Sequence, residues 1–400
     1  MLLRSLLPAV LTSTPFGFAE ASDGATRGFG PLILLPQDRG NESPACLDGS
    51  SYGFYLVRST AGSKKWTINL SGGGWCNDEE ECYSRSRTEL GSSKGWSKTS
   101  ACPCHNVLED GHMDADCNCV WMPYADGASF SGYRAEPVPV PSNRSKVVYF
   151  RGIKNFDATL DYLFHHGLGT ATEFVLTGGS AGGLSTFLHT DRVAERLAKE
   201  APNCKHVRAL PEVGYFLDHG NIKHDGNNYT AWMQYIYHMQ NLTFGADGAL
   251  APACREAYPE QPHYCFMSPH MQQFVKTPFF MLNSKYDEWQ LQNELQTAWD
   301  TKEAQAAVIQ YGQDFLDQLK PVKSEPKNGA FITSCICHDC PWEQLVLANK
   351  TAYQHFADWH YGRTSGAKAI HVDPRGPDGE GSIKLDKCDP FPAPRAPLIV

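Results

Sequence analysis

No segment of the 400-residue chain supplies the roughly 20 consecutive apolar residues that a helix needs to cross a bilayer. The apolar opening, MLLRSLLPAVLTSTPFGFAEA, falls far short of that length and is interrupted at Pro8, so no integral membrane segment is expected beyond it. Basic runs are missing as well. Lys and Arg number 35 against 44 Asp and Glu, a formal charge of -9 without any block of positive charge. A surface that tracks a phosphate backbone needs clustered cations, so nucleic acid is not the expected partner. Tandem repeats, heptads and low-complexity tracts are also absent. With 42% hydrophobic and only 20% charged residues, the chain can bury a large core and is not compositionally disordered.

The opening segment has one basic residue, an apolar stretch and small residues at Ala19 and Ala21 that flank a cleavage site, the pattern of a secretory signal peptide over residues 1–21. Residues 22–400 are then expected to form a single catalytic domain with a coil-rich C-terminal tail after about residue 366, tied down by Cys388. All fourteen cysteines fall in that mature part, and an even number in an oxidising compartment suggests up to seven disulfides. The group from Cys76 to Cys119 would brace a loop-rich region with little apolar periodicity. Acceptor motifs for N-glycosylation occur at Asn41, Asn143, Asn228, Asn241 and Asn349. A sixth, Asn69, ends the strand-like KWTINL, where burial would keep it unmodified. A secreted protein, extracellular or in a cell wall, is the expectation.

Strand-like runs at 50–58, 65–70, 146–152, 173–178, 207–210 and 277–284 alternate with helical patterns such as NFDATLDYLFHHG and AAVIQYGQDFLDQLK. Such alternation predicts an α/β fold with a mostly parallel sheet, helices on both faces, and functional loops beyond the strands' carboxyl ends. Directly after EFVLTG, the pattern Gly178-Gly179-Ser180-Ala181-Gly182 is the strand-to-helix elbow that presents a nucleophilic serine. A hydroxyl is a weak nucleophile near neutral pH, so Ser180 needs a histidine base and an acid that fixes its tautomer. In the order typical of an elbow enzyme, Asp287 follows the apolar run TPFFMLNS and His338 stands in the loop after NGAFITSC. Glu288 and Asp339 are rival acids. His189, nine residues along the helix from Ser180, suits a structural role better than a basic one.

Negative charge on the attacked carbonyl oxygen needs backbone donors. Ala181 supplies one, and Gly73 and Gly74 in SGGGW are candidates for the others, unless that segment is only a flexible turn. Trp75 and Tyr286 are candidate pocket residues, with packing the competing role for Trp75. Cys337, His338 and Cys340 could ligate zinc. The oxidising compartment and the lack of a second ligand pair favour disulfides, so neither metal nor cofactor is expected.

Six ordered blocks, NLSGGGWCN, PYADGASFSG, GGSAGGLSTFLHTD, GYFLD, VKTPFFMLNSKYDEWQ and NGAFITSC, together resemble the pectin acetylesterase family, which also contains the Notum-type lipid carboxylesterases. The resemblance implies an α/β-hydrolase-like three-layer fold with disulfide-braced insertions, a secreted enzyme, and a Ser180-Asp287-His338 triad with Gly73, Gly74 and Ala181 around the oxyanion. Two positions depart from the plant-type pattern: Gly179, where those members usually carry Cys, and the cysteine spacing around His338. PYADGASFSG is closer to the plant-type enzymes, which points to removal of acetyl groups from pectin or a related cell-wall polysaccharide through an acyl-enzyme. The alternatives are a Notum-like removal of a long acyl chain from a secreted protein, and a catalytically silent carbohydrate-binding protein. Nothing in the sequence indicates an oligomeric state.

Overall fold

A computed structural model describes residues 28–374, apart from 115, 227, 244–247 and 298–300. The expected signal peptide at 1–21 and the tail with Cys388 lie outside the described residues. Ten strands make the central sheet: β1 (Phe29–Leu34), β2 (Gly53–Val57), β3 (Lys65–Leu70), β4 (Thr99–Ala101), β5 (Asn118–Met122), β6 (Glu173–Gly179), β7 (His206–Glu212), β8 (Phe280–Tyr286), β9 (Gly329–Ile336) and β10 (Ile370–Val372). In space they run β10-β9-β8-β7-β6-β3-β5-β2-β1-β4. Pairing is parallel from β10 across to β5 and antiparallel from β5 outward to β4.

The helices used below are α1 (Glu79–Arg85), α2 (Gly152–His165), α3 (Ala181–Glu200), α4 (Tyr229–Met239), α5 (Glu288–Asn293), α6 (Lys302–Gln318) and α7 (Ala352–His360). Successive strand residues point to opposite faces, and each face of the sheet has its own core. Phe174 and Leu176 of β6 join the larger core with Phe156 and Leu160 of α2, Leu184 and Val193 of α3, and Val308 and Phe315 of α6. Val175, between them, joins Leu210, Phe280, Leu282 and Phe331 under Phe356 and Trp359 of α7. Helices thus cover both faces, as the strand and helix alternation predicts, in the α/β-hydrolase-like arrangement that the family resemblance implies.

Register brings the loops together. Leu70 pairs with Gly178, Gly179 with Glu212, and Tyr286 with Ile336, so β3, β6, β7, β8 and β9 end along one edge of the sheet. Every residue expected to act lies in a segment that leaves this edge.

The structure corrects four sequence expectations. The segment KVVYFRG contributes to strand Asn143–Val148, but this pairs with Val138–Val140 in a separate two-stranded ribbon and not in the central sheet. The Cys-rich insertion is not all loop: β5 (NCVWM) sits between β3 and β2, its short apolar run masked in the sequence by Cys117 before it and Cys119 within it. The C-terminal region is not coil from residue 366, because β10 pairs with β9 through Ala330–Ile370 and Ile332–Val372. Seven disulfides do not form. Cys76–Cys82, Cys102–Cys119, Cys104–Cys117, Cys254–Cys265 and Cys337–Cys340 are bridged, and Cys335 is also disulfide-bonded. Cys46 and Cys204 remain thiols, the first wholly buried and the second partly exposed. Burial pushes the Cys46 thiol up to about 12, which keeps it inert.

Candidate active site

Ser180 stands between β6 and α3 with φ 59° and ψ -126°, a conformation that a side-chain-bearing residue rarely adopts. Strain of this kind costs about 1–3 kcal/mol and persists only where the surroundings enforce it. Here the Ser180 N–H donates to the Glu212 carbonyl at 3.0 Å. The chain on either side passes so close to β3 that a methyl group at 182 would lie 2.0 Å from the Leu70 carbonyl oxygen, and one at 178 would lie 2.6 Å from the same atom. Only glycine fits there, and that crowding fixes the elbow.

The segment leaving β3 passes directly against this turn. A methyl group on Gly72 would come within 2.8 Å of Ser180 Cβ and 3.4 Å of the Ala181 nitrogen. Gly72, not singled out in the sequence, is therefore the closest glycine approach to the nucleophile; its only signal was its place at the head of the triplet. Gly73 (φ 151°) and Gly74 (φ 64°) take conformations that suit glycine, and the Tyr124 ring packs where a Gly73 side chain would be. Three anchors hold this loop: Arg85 Nη1 donates to Gly73 O at 2.5 Å, Arg85 Nη2 donates to Trp75 O at 2.9 Å, and the Trp75 indole N–H donates to Ser129 Oγ at 2.9 Å. Ser129 Oγ in turn donates to the Ala181 carbonyl at 2.9 Å, joining the glycine loop to the elbow helix.

Asp287 and His338 meet beyond the ends of β8 and β9. Asp287 caps α5, its Oδ1 accepting the Gln290 N–H at 3.0 Å, and exposes no surface. His338 Nδ1 donates to the same carboxylate, at 2.8 Å from Oδ2 and 3.0 Å from Oδ1. The Cys337–Cys340 bridge closes the loop that carries the ring, and both sulfurs are therefore unavailable to zinc. Burial pulls the His338 pKa down, but the charge and hydrogen bond of Asp287 outweigh it and the net shift is upward. Nε2 is buried without a hydrogen-bond partner, so it is the nitrogen left to take a proton. The rivals Glu288 and Asp339 make no hydrogen bond to His338. His189 is buried elsewhere, stacked on Phe156 at 4.3 Å, with Nε2 3.2 Å from both Ser129 O and Ser131 Oγ. Burial drives its pKa down to about 3, leaving a neutral strut.

Aromatic rings close the wall beside this pair. Trp75 meets Phe216 at 4.9 Å and both Tyr229 and Trp289 at 5.5 Å, while Phe216 and Trp289 each lie 6.3 Å from the His338 ring. Phe216 and Tyr229 expose no surface, so no water-sized void lies against either ring. Trp75 belongs to this group. Tyr286 is placed differently: its ring packs over Gly312 of α6, where a side chain would lie 2.3 Å from its Cε1.

Behind Asp287 lies a carboxyl that no sequence pattern marks. Glu294 exposes no surface, and burial, opposed in part by its bond to Tyr311, raises its pKa well above the carboxylate range. Tyr311 Oη lies 2.6 Å from Glu294 Oε2 and 2.7 Å from Gln290 Oε1. A hydroxyl has one proton, so if Tyr311 donates to Gln290, Glu294 must donate to Tyr311 and be neutral. Gln290 Oε1 also takes the Leu217 N–H at 3.1 Å, which ties the GYFLD loop to the Asp287 turn. The unfolded chain ionises Glu294 above its ordinary pKa while the folded chain keeps it protonated, so this group lowers stability as pH rises. Glu294→Gln is therefore expected to unfold like wild type near pH 4 and to be increasingly the more stable protein toward about pH 8, as read by urea titration. A gap independent of pH would show that Glu294 is ionised in the fold.

Among the acceptor asparagines, Asn41, Asn143 and Asn349 are exposed and Asn228 and Asn241 partly so, whereas Asn69 is buried with Nδ2 donating to Pro103 O at 3.2 Å. No helix among the described residues is long and apolar enough to cross a membrane.

A sequence profile described as Pectinacetylesterase matches residues 28–378. Pectin acetylesterase 11 of Arabidopsis thaliana is 30% identical over 350 residues, covering 80% of this chain and 85% of the relative. Palmitoleoyl-protein carboxylesterase NOTUM of Homo sapiens is 28% identical over 340 residues, covering 83% of this chain and 64% of the relative. Among solved structures, that of the Wnt deacylase Notum from Drosophila aligns with a TM-score of 0.74 at 24% identity, over 88% of this chain and 99% of that one.

Proposed function

Because the chain belongs to the pectinacetylesterase family, a family of carboxylic ester hydrolases, we propose that Ser180, Asp287 and His338 are the triad of a secreted serine esterase that works through an acyl-enzyme. The observation that carries this reading is the meeting, on one sheet edge, of a strained serine turn and a carboxylate-oriented histidine whose Nε2 is unpaired. Ser180 Oγ attacks the ester carbonyl carbon and passes its proton to His338 Nε2. The oxyanion rests on N–H groups of Ala181 and of the Gly73–Gly74 loop. Collapse of the tetrahedral adduct expels the alcohol with the proton from His338; water, deprotonated by the same nitrogen, then releases the acid. Ser180 and His338 are not hydrogen-bonded in this state, a contact that typically tightens on substrate binding.

Support for a short acyl group comes from the aromatic wall. A long chain needs an extended apolar cavity, and the packed Trp75, Phe216, Tyr229 and Trp289 rings leave none against Phe216 and Tyr229. We therefore favour a short acyl group, an acetyl ester on pectin or a related polysaccharide, as in the names of the plant relatives. The second reading, removal of a long acyl chain from a secreted protein, draws on the carboxylesterase relatives and on the aromatic lining, which would accept such a chain once the rings part. Acetate release from acetylated pectin, measured beside hydrolysis of a long-chain acyl-serine peptide, separates them; turnover of the peptide alone would overturn the acetyl reading. Trp289→Ala is expected to open the wall and raise kcat/KM for an octanoyl over an acetyl p-nitrophenyl ester by about 10-fold relative to wild type. An unchanged ratio would mean that Trp289 does not limit acyl length.

A further inference from the structure

We propose that Arg85 is a positioning residue for the oxyanion hole, an inference that rests on the esterase reading above. Arg85 ends α1, which the Cys76–Cys82 bridge ties back to the glycine loop. Its guanidinium donates to two carbonyls of that loop, Gly73 at 2.5 Å and Trp75 at 2.9 Å. Among the described residues, no carboxylate lies within ion-pair distance of it. The acids of α1 are engaged elsewhere: Glu79 accepts from Tyr235, Glu80 from the Ser142 N–H and Glu81 from the Asn77 N–H. The Arg85 cation is thus spent on backbone carbonyls.

The consequence follows from peptide planarity. A carbonyl and the N–H of the next residue point in opposite directions, so drawing Gly73 C=O toward Arg85 turns the Gly74 N–H away from Arg85. Gly72, one peptide earlier, already lies against Ser180 and Ala181, so the loop passes directly beside the nucleophile. The Trp75 carbonyl is held by the same fork, and the next amide, Cys76 N–H, is committed to Gly127 O at 3.3 Å. The geometry therefore selects Gly74 N–H as the donor that Arg85 sets. A cation on the carbonyl of a peptide also polarises its N–H, making it a stronger donor to developing negative charge. Gly73 and Gly74 have backbone angles that glycine can leave easily, and without the fork nothing else described bonds the Gly73 carbonyl.

The test compares wild type with Arg85→Met and Arg85→Lys on p-nitrophenyl acetate, with phenyl trifluoromethyl ketone as the probe whose serine adduct carries an oxyanion. Arg85→Met is expected to lower kcat about 30-fold while KM stays within about 3-fold, to weaken ketone inhibition by a similar factor, and to recover part of its rate in added guanidinium. Arg85→Lys, which keeps the charge but not the fork, should fall between the two and answers the question if the Met variant does not fold. Unchanged ketone affinity, or a rate loss that matches loss of folded protein, would overturn the proposal. Equal turnover by wild type and Ser180→Ala would instead remove the esterase reading, whatever Arg85 does.

Discussion

Ser180→Ala is expected to lower ester turnover by about 10⁵-fold or more and to leave the fold intact. Both halves of that expectation follow from the elbow. Ser180 Oγ makes no hydrogen bond among the described residues, so its loss leaves no partner unsatisfied. Alanine keeps the Cβ and therefore the same strain at φ 59° and ψ -126°, and stability should shift by less than about 1 kcal/mol. Ser180→Gly makes the complementary point, since glycine adopts this conformation freely and the inactive variant should be the more stable by about 1 kcal/mol. The measurements are acetate release and chemical denaturation on the same preparations. If Ser180→Ala turned over substrate at the wild-type rate, the serine mechanism would be wrong; if it lost its fold as well, the turn would be held by the hydroxyl and not by the glycine packing around it.

The elbow was legible because its signal is local: a strand, a glycine-flanked serine, a helix. Asp287 and His338 were legible because strand ends can be counted along the chain, and the carboxyl edge of a parallel sheet gathers whatever follows those ends. What escaped the sequence depends on approach between distant segments. Arg85 has nothing in its neighbourhood to mark it, and Gly72 and Ser129, although inside the blocks SGGGW and PYADGASFSG, carry no sign of their own contacts; their importance lies in which carbonyl, indole or serine the fold brings to them. Glu294 looks like a solvated helical acid until Tyr311 and Gln290 are placed around it. Cysteine parity failed for the same reason, since an even count says nothing about distance and Cys46 is sealed in the main core while Cys204 lies partly exposed. β5 was missed because a five-residue strand with one bridged cysteine before it and another inside it has too few apolar positions to show a period.

Asp287→Asn is expected to cost about 10⁴-fold in kcat, nearly as much as losing the nucleophile, although the fold has every reason to survive it. The amide keeps an oxygen to cap α5, but it has room for only one of its two roles toward His338. As acceptor it preserves the Nδ1–H tautomer without the charge; as donor it forces the proton onto Nε2, where it blocks the base. The pH profile distinguishes this from simple misfolding. In wild type, His338 must be neutral to act, and burial, which lowers its pKa, is outweighed by Asp287, so the acidic limb of kcat/KM should lie above the ordinary histidine value of about 6.5. Removing the carboxylate leaves burial as the dominant influence, and the limb of the residual activity should move to lower pH. A limb that stayed in place while the rate fell would mean that another group sets the pH dependence, and that the contact between Asp287 and His338 is structural.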